Sequence, residues 1–392
     1  MGKSNVSAFF KKYTMIIALI VVMGFFYWRT NGTILLPQNL NNLISQNAYV
    51  FVLAVGMLLC ILTGGNIDLA VGSVVCFAGA VGGKLLDNDC NAWVAALAVV
   101  GIGLLVGLWQ GFWIAYVKVP PFIATLAGMY AFRGLSNVVL DGLAVSIDNT
   151  QFINAFGGGA DCYIPDFIGG VGSEGLNVTC MTAFVIGIAI FVIMQVVARI
   201  NSTKRGYETQ PLVYQLIKMV IIAAVALYIG YKLSNYKGIP TALLWVLLVI
   251  LIYGYITTKT TIGRYLYAVG GNAKSARLSG INTKTVYFFA YINMGLLAGL
   301  AGVLTIARMA SAQPTYGQGY EMDAIGACFI GGASATGGTG TVPGVIIGAL
   351  LMGVINQGMS IMGINANYQK VVKGVVLLVA ILFDVLSKKE KK

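Results

Sequence analysis

The sequence predicts an all-α polytopic membrane protein with about ten to twelve transmembrane helices. Three observations carry that expectation: composition, a succession of apolar runs of spanning length, and basic residues placed at the ends of those runs. Hydrophobic residues make up 58% of the 392 and charged residues 10%, against about 45–50% and about 25% in a soluble domain. A soluble core of this length cannot hide that much apolar surface, so lipid covers part of it. The 50 glycines suit close helix–helix approach inside a bilayer.

A hydrocarbon core about 30 Å thick takes roughly 20 apolar residues per crossing. Runs of that order lie near 13–31, 45–63, 69–86, 93–117, 122–140, 179–198, 211–232, 239–257, 285–307, 341–362 and 368–386, with a shorter, Gly-interrupted run near 323–336. The first follows Lys11 and Lys12 but ends at Arg29 without a small-residue cleavage site, so it reads as an uncleaved helix. If all twelve cross, one set of loops carries Lys3, Lys11, Lys12, Lys118, Arg199, Lys204, Arg205, Lys259, Arg264, Lys274, Arg277, Lys284, Lys388, Lys389, Lys391 and Lys392. The other carries Arg29, Lys84, Lys232, Lys237, Arg308, Lys370 and Lys373. The positive-inside bias then puts both termini in the cytoplasm. The whole of 1–392 reads as one membrane domain.

Two loops are long enough to need partners. The stretch 141–178 holds Asp141, Asp148, Asp161, Asp166 and Glu174 without Lys or Arg. It reads as an extracytoplasmic loop, rich in glycine (Gly157, Gly158, Gly159, Gly169, Gly170) and with little regular structure. Cys162 lies on it and Cys180 just past its end, close enough in sequence for a disulfide. The stretch 258–285 is basic, partly amphipathic and cytoplasmic. Within it Gly270, Gly271 and Asn272 read as a turn, and Ala273–Leu278 as a short exposed helix carrying Lys274, Ser275, Ala276 and Arg277, closed by Gly280.

The charge of +12 forms no basic patch with interleaved aromatics, so it does not point to nucleic acid. With no His and six Cys in no metal spacing, neither a metal centre nor another cofactor is expected. Gly331–Thr341 is Gly-rich but lacks the Gly-Lys-Ser/Thr of a phosphate loop. The spacing-four stripes Gly103, Gly107, Gly111 and Gly340, Gly344, Gly348 read as helix packing surfaces.

At Thr63–Ser73, Gly64 and Gly65 let the backbone leave a helix beside Asn66 and Asp68. A carboxylate at membrane depth is costly unless satisfied, so Asp68 reads as a helix cap, a pathway residue, or both. A short echo, acid before a Gly-containing apolar run, recurs at Met322-Asp323-Ala324-Ile325-Gly326. Polar residues inside the runs are few, among them Gln110, Asn293 and Asn356. The absence of a ladder of buried acids argues for an external energy source. Trp109, Gln110 and Trp113 together would suit sugar handling, with aromatic packing as the plainer account of the tryptophans.

GGNIDLAVGS at 64–73, KVPPFIATLAGMYAFRG at 118–134, GRYLYAVGGNAKSARLSGIN at 263–282 and DAIGACFIGGASATGGTGTVPGVIIGALLMGVINQGMS at 323–360 resemble the permease subunits of bacterial ABC-type monosaccharide importers. The ribose, xylose and galactose permeases are similar, the longer xylose type best in length. Family members often carry Ser where this chain has Ala70, and 141–240 matches least. The resemblance implies an ABC importer permease fold in the bacterial cytoplasmic membrane, with no catalytic residues. It implies a second permease copy, two ABC ATPase subunits and an extracytoplasmic sugar-binding protein, with 258–285 as the coupling loop. Other cargoes (a nucleoside, an autoinducer sugar, a branched-chain amino acid) would leave the same sequence features. A membrane enzyme on lipid-linked substrates would need clustered acids or metal ligands, and a lone ion-coupled carrier would need buried acid pairs.

Overall fold

Each of the twelve apolar runs falls on a helix over most of its described length, the short one only as far as Ile330, as a bilayer demands of any segment that cannot hydrogen-bond to water. The computed structural model describes residues 3–159, 161–169, 175–206 and 212–389, with side chains from 15 to 382. Gly170, Glu174, Lys391 and Lys392 of the topology reading lie outside the described residues, as do the side chains of Lys3, Lys11, Lys12, Lys388 and Lys389. The helices are α1 (Lys3–Arg29), α2 (Pro37–Gln46), α3 (Ala48–Leu62), α4 (Val71–Asp87), α5 (Ala92–Phe112), α6 (Pro121–Leu140), α7 (Thr150–Phe156), α8 (Val178–Lys204) and α9 (Leu212–Ser234). They continue with α10 (Thr241–Lys259), α11 (Thr261–Gly271), α12 (Ala273–Leu278), α13 (Thr283–Met309), α14 (Tyr320–Ile330), α15 (Val342–Ile361) and α16 (Ala366–Lys389).

Seven of these are long and apolar enough to cross a membrane: α5 with its π-helical extension Trp113–Val117, α6, α8, α9, α10, α13 and α15. The pair α2 and α3, bent by 42° around Asn47, makes an eighth. At 1.5 Å per residue, α4 with 17 residues and α14 with 11 reach about 26 Å and about 16 Å, short of a crossing. The two motifs flagged by glycine thus accompany the two shortened helices.

The chain divides into two compact units. The larger comprises Met1–Ile34, Leu43–Cys162 and Thr241–Lys392. Its core runs along α3 and α13. All residues of α3 except Tyr49 are buried, as expected of a helix apolar on every face. The glycine stripes work as packing surfaces. A Cβ at Gly103 of α5 would strike the Gly295 carbonyl of α13, one at Gly107 the Tyr291 carbonyl, and one at Gly348 of α15 the Ala327 carbonyl of α14. Backbones approach so closely because dispersion between helices, with no hydrophobic drive in lipid, must hold the bundle.

The loop expected to be irregular carries regular structure. Its strand β1 (Val145–Ser146) pairs antiparallel with β2 (Ser311–Ala312). The short α7 is capped by Asn149, whose side chain accepts from the Phe152 amide at 3.0 Å, and it buries Phe152 and Phe156. All six cysteines are thiols. The disulfide allowed by sequence does not form, and the Cys180 thiol instead donates to the Gly230 carbonyl at 3.9 Å.

The smaller unit, Leu35–Asn42 with Tyr163–Pro240, is built on the antiparallel pair α8 and α9. Gly230 of α9 admits the Phe184 ring of α8, and Arg199 Nη1 donates to Gln215 Oε1 at 2.6 Å. Most apolar side chains of both helices are exposed within the unit, as lipid-facing helices require. One carboxylate pins the loop before α8. Asp166 accepts from the amides of Ile168, Gly169, Val178 and Thr179 and from the Thr179 hydroxyl, at 2.8–3.2 Å. The Gly169 amide leads these bonds in holding the Asp166 carboxyl well below the usual carboxylate range. A pKa lowered by folding stabilises at neutral pH and down to an unfolded value of about 4, then fades toward the lowered folded value. Asp166→Ala is therefore expected to lower the unfolding temperature at pH 7, with the gap from wild type narrowing below pH about 4. Thermal scans at pH 7 and pH 3 check it; a pH-independent gap would refute the assignment.

Candidate functional site

The glycine breaks meet. Beyond α3 the chain leaves helical geometry at Gly64 (φ +126°) and Gly65 (φ +75°), conformations that favour glycine. A Cβ at Gly65 would strike the Ala335 carbonyl, and one at Gly337 would strike Gly64. The segment 63–70 therefore lies against 331–341. The Gly338 amide donates to the Leu62 carbonyl at 3.1 Å, tying the second break to the end of α3.

The basic loop joins the same junction. A Cβ at Gly270 would strike the Leu62 carbonyl and the Gly338 backbone, and Tyr267 Oη donates to the Gly340 carbonyl at 2.8 Å. Gly270 and Gly271 are the last residues of α11, not a turn. Gly270 is small because three backbones converge on it. Only Asn272 separates α11 from α12; it is extended (φ −161°, ψ 100°), and its Oδ1 accepts from the Ser275 amide at 2.9 Å, as an N-cap does. At the other end the Ile281 amide donates to the Ala276 carbonyl at 3.0 Å, and Gly280 turns the chain at φ +84°. Gly270→Val is expected to cost about 1–3 kcal/mol by overpacking, read as a lower unfolding temperature of the purified protein.

The exposed helix expected at Ala273–Leu278 forms, with one inversion. Ala276 is buried at 5% exposure and packs toward α13, whereas Leu278 is 82% exposed. Lys274, Ser275 and Arg277 are exposed with it. Sequence reasoning left Leu278 out of the site; a lone leucine beside Arg277 in a six-residue polar helix was the available signal. Around this end, a cavity of about 670 Å³ opens between Asn66, the segment Ile114–Pro121 and the segment Arg277–Tyr287.

The polar residues singled out within the runs are not brought together. Asp68 is buried, and its Oδ1 accepts from the Ala70 amide at 2.8 Å; Ala70 precedes α4, and no side chain caps the amides of α4 itself, so Asp68 fixes the turn into the helix and does not cap it. Asn66 Nδ2 donates to Thr63 Oγ1 at 3.1 Å. Trp109 is 43% exposed and meets Trp113 and Phe132 edge-on at 6.3 and 5.6 Å. Gln110 is 1% exposed and turned inward toward Gly128. The tryptophans and the amide therefore form no shared sugar platform, because adjacent helical positions diverge by about 100°. Asn293 Oδ1 accepts from Tyr253 Oη at 2.7 Å, joining α13 to α10. Asn356 Nδ2 reaches Asn47 Oδ1 at 3.5 Å beside the bend of α2 and α3.

A buried ion pair went unseen in the sequence. Lys373, assigned there to an outer loop, lies within α16, and its Nζ stands 2.9 and 3.0 Å from the two oxygens of Asp323 in α14. Tyr49 Oη donates to the same carboxylate at 2.7 Å while its ring stacks on Tyr320. Asp68 and Asp323, both 1% exposed, thus have different partners. Among the described residues, no cluster of His, Cys, Asp or Glu could hold a metal ion.

With this geometry in hand, the relatives are informative. A family model described as the permease component of branched-chain amino acid transport systems matches residues 39–381. The xylose transport system permease protein of Haemophilus influenzae is 38% identical over 386 residues, covering 96% of this chain and 97% of its own. That of Escherichia coli is 35% identical, covering 96% and 92%. The ribose import permease protein of Bacillus subtilis is 33% identical over 354 residues, covering 90% and 87%. No solved structure matches. The chain belongs to this family of multi-pass membrane permeases, the membrane components of transport systems and not enzymes.

Proposed function

We propose that the protein is the membrane subunit of an ABC importer that carries a monosaccharide, a pentose such as xylose, across the bacterial cytoplasmic membrane. The cargo follows the curated relatives, two of which are named for xylose and one for ribose. Separate ATPase subunits supply energy, an extracytoplasmic binding protein delivers the sugar, and a second copy of the chain completes the pathway.

The observation that carries the reading is the junction of α11 with both glycine breaks. The stretch 258–285 is the coupling loop, and α12 is the part an ATPase grips. Its end of the larger unit is cytoplasmic, because its loops carry Lys118, Lys259, Arg264, Lys274, Arg277 and Lys284, while those of the opposite end carry Lys84 and Arg308 among Asp87, Asp89 and Asp148. Both termini are cytoplasmic on the same argument. A push on α12 passes through α11 to Gly270 and so to 63–70 and 331–341, irregular backbone of the kind that membrane proteins keep for cavities and paths. Asn66 and Asp68 are the path residues we retain. Asn293 and Asn356 hold helices together, and Trp109 and Trp113 face outward.

The test is co-purification of the tagged chain with cassette ATPases of its own host, followed by uptake in proteoliposomes supplied with the binding protein and labelled D-xylose. An ATPase that co-purifies and drives ATP-dependent uptake, outcompeted by xylose or ribose, is the expected result. Competition by leucine instead would move the cargo to the amino acid named in the family description. Uptake without any ATPase would overturn the reading.

A further inference from the structure

We infer that the cavity beside the coupling loop is a binding site for a phosphate-bearing anion, and that its occupant is the headgroup of an anionic phospholipid. Nothing in the importer reading requires such a site; the inference takes from that reading only that this end of the larger unit is cytoplasmic.

The cavity, about 670 Å³, draws Lys118 from one segment and Arg277 and Lys284 from another onto one concave surface, with Asn66 and Tyr287 as further polar lining. No acidic residue lines it, and among the described residues none of the three cations has an ion-pair partner. Like charges gathered without compensation repel one another, so the arrangement favours an anion that neutralises them. The backbone contributes to the gathering. Lys118 sits in the left-handed region at φ +67°, where a non-glycine residue is uncommon and strained. That conformation follows the π-helical turn Trp113–Val117 and precedes Pro120-Pro121, and it fixes where the Lys118 side chain leaves the chain.

The surroundings select lipid over a soluble anion. Next to the cavity, Trp113, Tyr116 and Val117 at the end of α5 and Phe122 and Ile123 at the start of α6 are all exposed. Aromatic residues at a helix end mark the membrane interface, and the aliphatic and phenyl side chains offer a track for acyl chains leaving the site. Basic pockets between membrane helices on the cytoplasmic side are a recurrent setting for anionic headgroups. Arg277 belongs to α12, so a bound headgroup would also brace the coupling helix.

The experiment measures lipid retained by the full-length permease after purification from membranes of phosphatidylcholine with phosphatidylglycerol, using mass spectrometry. Wild type is compared with Lys118→Gln/Lys284→Gln, which leaves α12 intact. The expected result is preferential retention of phosphatidylglycerol, lowered about tenfold or more in the variant at an unchanged unfolding temperature. Equal retention of both lipids, or retention unaffected by the substitutions, would overturn the inference. Should inorganic phosphate or glycerol 3-phosphate at millimolar concentration displace the lipid from wild type only, the anion site stands and a soluble anion can be its occupant. If the variant loses a co-purifying ATPase while keeping its lipid, the cavity is a protein contact and the lipid assignment fails.

Discussion

Leu278→Glu is expected to release the ATPase while leaving the permease folded. The side chain is 82% exposed at the end of α12, a helix whose other exposed side chains, Lys274, Ser275 and Arg277, are polar. An apolar residue held out into water on a capped, rigid helix has the character of an anchor for a partner groove. Truncating such an anchor typically costs about 2–4 kcal/mol, and here a carboxylate is added to the groove. The affinity is expected to fall about 30- to 1000-fold, enough to lose the ATPase in purification and to bring uptake to background. The unfolding temperature of the permease alone should not change, because Leu278 makes little contact within the chain.

The contrast with Ala276 gives the prediction its edge. Ala276 is also on α12 but faces the core beside α13, so Ala276→Glu buries a charge and damages the fold itself. Release of the ATPase by Leu278→Glu with normal stability, against loss of stability in Ala276→Glu, separates docking from folding. An ATPase that stays bound to the Leu278→Glu permease would show that α12 is not the docking element. Arg277→Glu, exposed on the same helix, should weaken association without unfolding, and by less than Leu278→Glu.

Much of this was legible in the sequence because bilayer physics writes itself into long stretches. Most spanning runs, the glycine stripes and the short helix at Ala273–Leu278 are local patterns that became the expected elements; the runs at 69–86 and 323–336 became helices too short to cross. What was not legible depends on distant segments. The sequence has Gly270 beside Gly271 and Asn272, a standard turn signal. Yet Gly270 is helical, and its reason for being glycine lies 208 residues earlier at Leu62 and 68 residues later at Gly338. Similarly, Trp109, Gln110 and Trp113 look like one cluster in sequence, but helical geometry points Gln110 away from the other two. The regular structure of the described residues within 141–178 comes from the pairing with β2 and from the Asp166 bonds, neither of which composition records. Lys373 was read as a loop cation because its run begins close by; its partner, Asp323, is 50 residues away.

That pair yields the largest expected effect on stability. Lys373→Met would leave Asp323, 1% exposed, with the Tyr49 hydroxyl as the sole side-chain donor remaining among the described residues. Breaking one side of a buried pair costs about 3–5 kcal/mol, a large part of a total stability of about 5–15 kcal/mol. Asp323→Asn should cost less. Lys373 is about one-fifth exposed and can carry its ammonium toward the interface on its flexible stem, and an amide can still accept from Tyr49. The double variant Asp323→Asn/Lys373→Met removes both charges and should recover most of the loss in Lys373→Met, giving a coupling term of opposite sign to the single effects. Denaturant titration of the four proteins in one detergent measures it. Additive losses would mean that the contact between α14 and α16 is held by packing alone. Recovery would mean that Lys373 is present because Asp323 is, and that the acid fixes the shortened helix α14, and with it the second glycine break, against α3 and α16.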